Sequence, residues 1–273
     1  MDEYLSIQDI SCGYKSGFQL NNIRFSVKKG SFTGIIGPNG SGKTTLFKGI
    51  SGELALKKGN ILLNGQMLNK MNMRQKARHI AIVSQFTNIE SIRVEDYILM
   101  GRMPYHKQFQ LFETKEDKEI AAKYMEMTGI AHLRDKNREE LSGGEQQMVN
   151  IACALTQEPD ILLLDEPTTH LDITHQVQFM NLVQRLNEQL KLTVIMIIHD
   201  LNLASEYCDY LLMMKDGHIY KQGKPEDIIT FENIEEVYKT VVVAKINPVS
   251  QKPVIFPVSE KRLKNININN LSS

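Results

Sequence analysis

Phe32-Thr33-Gly34-Ile35-Ile36-Gly37-Pro38-Asn39-Gly40-Ser41-Gly42-Lys43-Thr44 is the stretch on which the fold turns. A short apolar run, Phe32 to Ile36, meets a glycine-rich loop, and Thr44 to Ser51 then reads as the first turns of a helix. The loop fits G-x-x-x-x-G-K-[ST]. Glycines let successive backbone N–H groups turn toward one anion, and the helix that follows adds its positive N-terminal end. Lys43 supplies a charge for the β- and γ-phosphates of a nucleotide, and the Thr44 hydroxyl is a candidate Mg²⁺ ligand. A glycine-rich turn that merely contained lysine would need neither the strand before it nor the helix after it. The phosphate-binding set is therefore Gly37, Pro38, Asn39, Gly40, Ser41, Gly42, Lys43 and Thr44, with Thr45 beside them.

Outward from the loop, Ile161-Leu162-Leu163-Leu164-Asp165-Glu166 is an apolar strand ending in two carboxylates. An acid at the carboxyl end of such a strand can hold Mg²⁺ beside a phosphate loop, which assigns Asp165 to the metal. The second acid, Glu166, can orient or deprotonate an attacking water, a contribution of roughly 10²–10⁴-fold. Together with the loop, this pair defines a P-loop NTPase. Val194–Ile198 and Tyr210–Met214 are two more short apolar runs, and helical segments separate all three. Doubly buried strands alternating with helices indicate a parallel sheet.

The remaining segments read more locally. Phe18, Leu20, Ile23, Phe25 and Val27 alternate loosely and stop at Lys28-Lys29-Gly30, which reads as a hairpin turn. Asn64-Gly65 is a strong tight-turn pair because both residues accept positive φ. Lys115 to Met127 puts Ile120, Ala121, Tyr124 and Met127 on one helical face. Asp216-Gly217 turns a strand back into His218–Tyr220, and Val241–Val258 reads as a strand pair around Asn247-Pro248. After Ser259 the chain is polar and is expected to fray.

Composition bounds the partners. The 273 residues suit one large domain, and Lys+Arg balance Asp+Glu at 32 each, so bulk charge gives no reason to expect nucleic acid. Three scattered cysteines, Cys12, Cys153 and Cys208, fit reduced thiols and form no metal-ligand pattern. Met1-Asp2-Glu3 lacks the layout of a secretory signal, and no apolar run approaches the ~20 residues that span a bilayer. Service to a membrane would have to run through a partner.

Leu141-Ser142-Gly143-Gly144-Glu145-Gln146-Gln147 is a second anion-binding helix start, and one nucleotide does not need two phosphate clamps. Here the chain resembles the ABC ATPase family, whose signature is LSGGQ; the motifs occur in the family's order over nearly the whole chain. Glu145 stands where the family usually has Gln. The resemblance implies ATP and Mg²⁺ as cofactors and a head-to-tail dimer. In it, Ser142, Gly143, Gly144 and Glu145 close on ATP bound to the other copy. It further implies that Gln85 is the Q-loop glutamine near Mg²⁺ and that His170-Leu171-Asp172 is the D-loop. By the same likeness, His199 contacts the γ-phosphate and Tyr14 stacks on adenine. Catalysis would rest on Glu166, His199, Gln85 and Lys43.

The implied fold is a RecA-like α/β core (1–85 and 151–258) with an antiparallel β edge and a helical subdomain at 86–150, all one domain over 1–258. Within the family, Gly101-Arg102-Met103-Pro104-Tyr105 and Thr168–Gln176 resemble the ATPase subunits of iron-siderophore, haem and cobalamin importers. That implies integral membrane permease subunits as partners, indirectly a solute-binding protein, and a place at the cytoplasmic face of the membrane. Two other readings stay open: a non-transport ABC ATPase of a soluble machine, and an ATP-holding switch without turnover. Intact Glu166 and His199 speak against the second.

Overall fold

The computed structural model describes residues 3–14, 17–84, 91–107, 110, 112–169 and 171–263. Along the chain run β1 (Glu3–Gly13), β2 (Gln19–Lys28), β3 (Phe32–Ile36), α1 (Lys43–Ser51), β4 (Leu56–Leu63) and β5 (Gln66–Met67). Next come α2 (Met73–His79), β6 (Ile80–Val83), α3 (Val94–Leu99), α4 (Lys115–Met127), α5 (Gly143–Thr156), β7 (Ile161–Asp165) and α6 (Ile173–Leu190). The last third holds β8 (Thr193–Ile197), α7 (Leu201–Tyr207), β9 (Tyr210–Lys215), β10 (His218–Gly223), α8 (Pro225–Ile228), α9 (Phe231–Tyr238), β11 (Val242–Ile246), β12 (Pro253–Pro257) and α10 (Glu260–Leu263). The chain forms two compact units, Met1–Gly65 with Met196–Ser273, and Gln66–Ile195.

In the first unit, β1 pairs antiparallel with both β2 and β4. Leu20, Ile23, Phe25 and Val27 of β2 are the buried positions, as the alternation requires. All five residues of β3 are buried, and β3 runs parallel to β9 from Thr33 opposite Tyr210 to Ile36 opposite Met213. This corrects one expectation. Lys28-Lys29-Gly30 is a turn but closes no hairpin, because β2 pairs back onto β1 while β3 pairs with β9. A strand buried at every position needs cover on both faces, and a half-exposed ribbon cannot give it. β9 and β10 form the hairpin read at Asp216-Gly217, and β11 and β12 form the C-terminal pair.

The second unit pairs β6 parallel with β7, Ile80 opposite Ile161 through Val83 opposite Leu164. Its helical part has its own apolar core of Val94, Ile98, Leu99, Ala121, Met125, Leu133, Val149 and Ala152, contributed by α3, α4 and α5 and the turn between α4 and α5. Arg138, 2% exposed, is buried beside this core, stacked 3.7 Å from the Tyr97 ring centroid and bonded to Asn150 Oδ1 at 3.1 Å. Among the described residues no helix is long and apolar enough to cross a membrane.

Candidate functional site: two anion-binding helix starts

The phosphate loop hangs between the buried strand β3 and helix α1. Gly37 has φ +149, and a Cβ there would stand 2.4 Å from the Met214 carbonyl oxygen, so the strand can turn into the loop only with glycine. Gly42, the N-cap of α1 with φ +104, offers no side chain to the helix's first N–H groups. Those groups, the positive end of the helix, remain for an external anion. Ser41 is 2% exposed and its Oγ has no hydrogen-bond partner. A buried hydroxyl left this way costs about 1–3 kcal/mol, and an oxygen of a bound phosphate would relieve it. The residues present therefore fit a nucleotide.

Other contacts brace this loop. Lys43 Nζ donates to the carbonyl oxygens of Gly37 (2.9 Å) and Pro38 (3.1 Å), arched back over the loop. The Gly217 N–H, at the β9–β10 turn, donates to Ser41 O at 3.0 Å. Thr44 is exposed and Thr45 buried on the first turn of α1. His199 lies just past β8, exposed, and the preceding Ile198 N–H donates to Ile35 O at 3.1 Å. That bond ties the histidine's segment to the strand that delivers Gly37. Tyr14, 47% exposed, sits at the end of β1, its N–H donating to Phe18 O at 3.3 Å.

Two residues at this loop escaped the sequence reading. Phe18, read there only as a strand position, lies where a Cβ on Gly42 would meet its ring at 2.7 Å. Tyr238, on α9, hydrogen-bonds the Gly37 backbone; burial pushes its phenol well up, and that bond offsets part of the rise. Alternating apolarity could have hinted at Phe18. No local signal marks Tyr238, which lies far from Gly37 in sequence.

In the second unit, β7 ends in Asp165, and Glu166 follows with φ +51. A non-glycine residue in the left-handed region carries roughly 1–3 kcal/mol of strain and is held by its surroundings. Here Glu166 O accepts from the Thr169 N–H at 3.2 Å, and Gln176 Nε2 donates to Thr168 O (3.3 Å) and Leu171 O (3.0 Å). Asp172 caps α6, accepting from the His175 N–H at 2.9 Å. Its carboxyl is held below the usual range by that bond first and by the His175 ring second. Gln85 and His170 lie outside the described residues.

Ser142 caps α5. Its Oγ accepts from the Glu145 N–H (3.3 Å), while Glu145 Oε2 accepts from the Ser142 N–H (2.8 Å) and from the Ser142 hydroxyl (2.7 Å). Glu145, the departure from the family pattern, thus closes a reciprocal capping box. The Ser142 hydroxyl first, and its N–H second, hold the Glu145 carboxyl below its ordinary value. Gly144 is pressed against the Asp172-bound histidine: a Cβ there would stand 2.9 Å from His175 Cδ2. The structure therefore brings Ser142, Gly144, His175 and Asp172 together in one unit and the phosphate loop with His199 in the other.

A phosphate loop on a parallel α/β core, paired acids at a strand end and a second glycine-rich helix start define a nucleotide-binding ATPase cassette. The family model for the ABC transporter matches residues 20–169, and the chain belongs to that family. It is 40% identical to the ABC transporter ATP-binding protein YvrA of Bacillus subtilis over 94% of this chain, which spans 58% of that relative's length. It is also 36% identical to the ferric enterobactin transport ATP-binding protein FepC of Escherichia coli, covering 92% of this chain and 93% of FepC. Among solved structures it is similar to an inward-facing metal-chelate type ABC transporter, with TM-score 0.83 and 25% identity over 95% of this chain and 99% of that one. It is likewise similar to the ADP conformation of the cassette MJ1267, with TM-score 0.79 and 27% identity over 88% and 99%.

Proposed function

We propose that this ATPase powers an importer of iron chelates of the ferric siderophore class, acting as a homodimer that sandwiches ATP beneath membrane permease subunits. The observation that carries the mechanism is the uncapped start of α1, with the orphaned Ser41 hydroxyl beside a lysine that can leave its carbonyl partners for phosphate. The cargo reading is supported by the names of relatives, which include a ferric enterobactin transporter and an iron(3+)-hydroxamate importer, and by likeness to a metal-chelate type transporter. The dimer reading is supported by the solved dimers of a related cassette.

In this reading Gly37–Thr45 cradle the phosphates and Lys43 swings onto the β/γ oxygens. Thr44, Asp165 and Gln85 would hold Mg²⁺, which neutralises phosphate charge when bound. Glu166 takes the proton of the attacking water, and the His199 side chain bonds the γ-phosphate. Tyr14 offers its exposed ring to adenine. Ser142, Gly143 and Gly144 donate across the dimer to the partner's nucleotide, while Glu145 and Asp172 set the shape of that donor surface from within. Deleting the gene and measuring uptake of labelled ferric siderophores, haem and cobalamin under iron limitation tests the cargo. Loss of siderophore uptake is expected; loss of sugar or amino-acid uptake with chelate transport untouched would refute the class.

A further inference from the structure

The first unit holds a cavity of about 580 Å³ that the ATPase reaction does not use. That volume is within the ~300–1,000 Å³ of small-molecule pockets. It opens where β3 and β9 begin: Thr33 lines it, whereas the phosphate loop leaves the other end of β3, about 13 Å away at ~3.3 Å per residue. Three lysines converge on it from separate parts of the chain. They are Lys28 at the end of β2, Lys224 before α8 and Lys252 before β12. Lys252 Nζ is fixed by donating to Glu206 O at 2.7 Å, which leaves further N–H groups. Among the described residues Lys28 and Lys224 have no ion-pair partner.

Two carboxylates, Asp209 and Glu226, line the cavity against the three lysines, which leaves the cations in excess by one. Asp209 Oδ2 also accepts from the Phe32 N–H at 2.8 Å. Val27, Cys208 and Pro225 give the floor an apolar part, and all three are buried. Cationic walls over an apolar floor match one ligand chemistry. We infer that this cavity binds a small organic anion, with one or two carboxylates or a phosphate ester on a short carbon body. This second ligand site goes beyond the nucleotide reading and does not depend on it.

The test is calorimetric titration of the whole chain, held in saturating Mg-ADP so that the phosphate loop is filled, with succinate in one arm and glycerol 3-phosphate in the other. Saturable binding of one equivalent is expected, and the tighter arm tells carboxylate from phosphate ester. Lys28→Glu with Lys224→Glu, both exposed positions, is expected to weaken it about tenfold or more, because each change replaces an attraction for the anion with a repulsion. Lys224→Ala alone, a milder change that keeps the fold safe, is expected to weaken it about two- to fivefold. No binding of either probe, or binding equal in the variants, overturns the inference. Unchanged ADP affinity in those variants separates its failure from that of the nucleotide site.

Discussion

At the residue scale, chemistry divides between groups that hold phosphate and groups that move a proton. Lys43→Ala deletes the charge proposed to face the β/γ-phosphates and is expected to weaken ATP binding by about 10- to 100-fold, the range for a hydrogen bond to a charged group. Equilibrium binding of a fluorescent ATP analogue checks this, and unchanged affinity would contradict the phosphate-loop reading. Glu166→Gln keeps the shape of the site and removes the proposed base. Turnover is expected to fall roughly 10²–10⁴-fold with ATP affinity retained, measured by phosphate release and binding side by side. Glu145 can be treated in the same terms. Its two bonds with Ser142 are cap bonds, and a Gln there can accept the same pair through its amide oxygen, so Glu145→Gln is expected to leave thermal stability within about 0.5 kcal/mol. A drop of about 1 kcal/mol or more would mean the charge itself sustains the cap.

At the element scale, the Met100–Tyr105 turn shows why a subgroup motif has a physical reason. A Cβ on Gly101 would stand 2.2 Å from Cys153 O, so α5 approaches the turn too closely for any other residue. Arg102, 4% exposed, donates to Asp117 Oδ1 (3.0 Å), Thr156 O (2.6 Å) and Glu158 Oε2 (3.0 Å) and stacks 4.1 Å from the Tyr105 ring centroid. Burial pushes the Asp117 carboxyl up, but bonds from Thr114 and Arg102 outweigh that and hold it below its ordinary value. A depressed carboxyl stabilises the fold above its unfolded pKa near 3.9, and that stability is lost as pH falls through the native value. Arg102→Leu leaves Asp117 buried without its partner and is expected to cost about 3–5 kcal/mol, read as a lower denaturation midpoint at pH 7. The difference from wild type should shrink on acidification, and a constant difference would take Asp117 out of the account. Much of this was legible in advance: β3, β7 and β9 lie where short continuous apolar runs put them, α4 where its helical spacing does, α1 after the phosphate loop, and the C-terminal pair around its Asn-Pro turn. The Arg102 clamp was not, since its partners at 117, 156 and 158 are joined only by tertiary packing. Nor was the path of β2, because a Lys-Lys-Gly turn is the same in a hairpin and in a crossing between sheets.

At the scale of the whole molecule, the proposed division of labour between two copies decides what one substitution is expected to do. The donors at the start of α5 belong to a capping box that is complete within the chain, so they are not needed to build the chain's own phosphate loop. Ser142→Arg places a long cation where, in the proposed dimer, the other copy's γ-phosphate would arrive, and it removes the hydroxyl that caps α5. The cap loss costs about 0.5–2 kcal/mol locally, too little to unfold a domain of this size, and the phosphate loop in the other unit keeps its residues. The variant is best made in the Glu166→Gln background, where ATP is expected to stay bound without being consumed and the closed dimer to accumulate. Glu166→Gln alone is then expected to elute as a dimer in ATP and as a monomer without it. Glu166→Gln with Ser142→Arg is expected to stay monomeric at every ATP concentration while its ATP affinity changes by no more than about twofold. Size-exclusion chromatography with light scattering measures the first quantity, and ligand titration of the dilute monomer measures the second. Weak ATP binding by that monomer would place Ser142 in the chain's own nucleotide site and end the trans assignment. A dimer that still forms would show that an arginine at 142 is no obstacle at the closing surface.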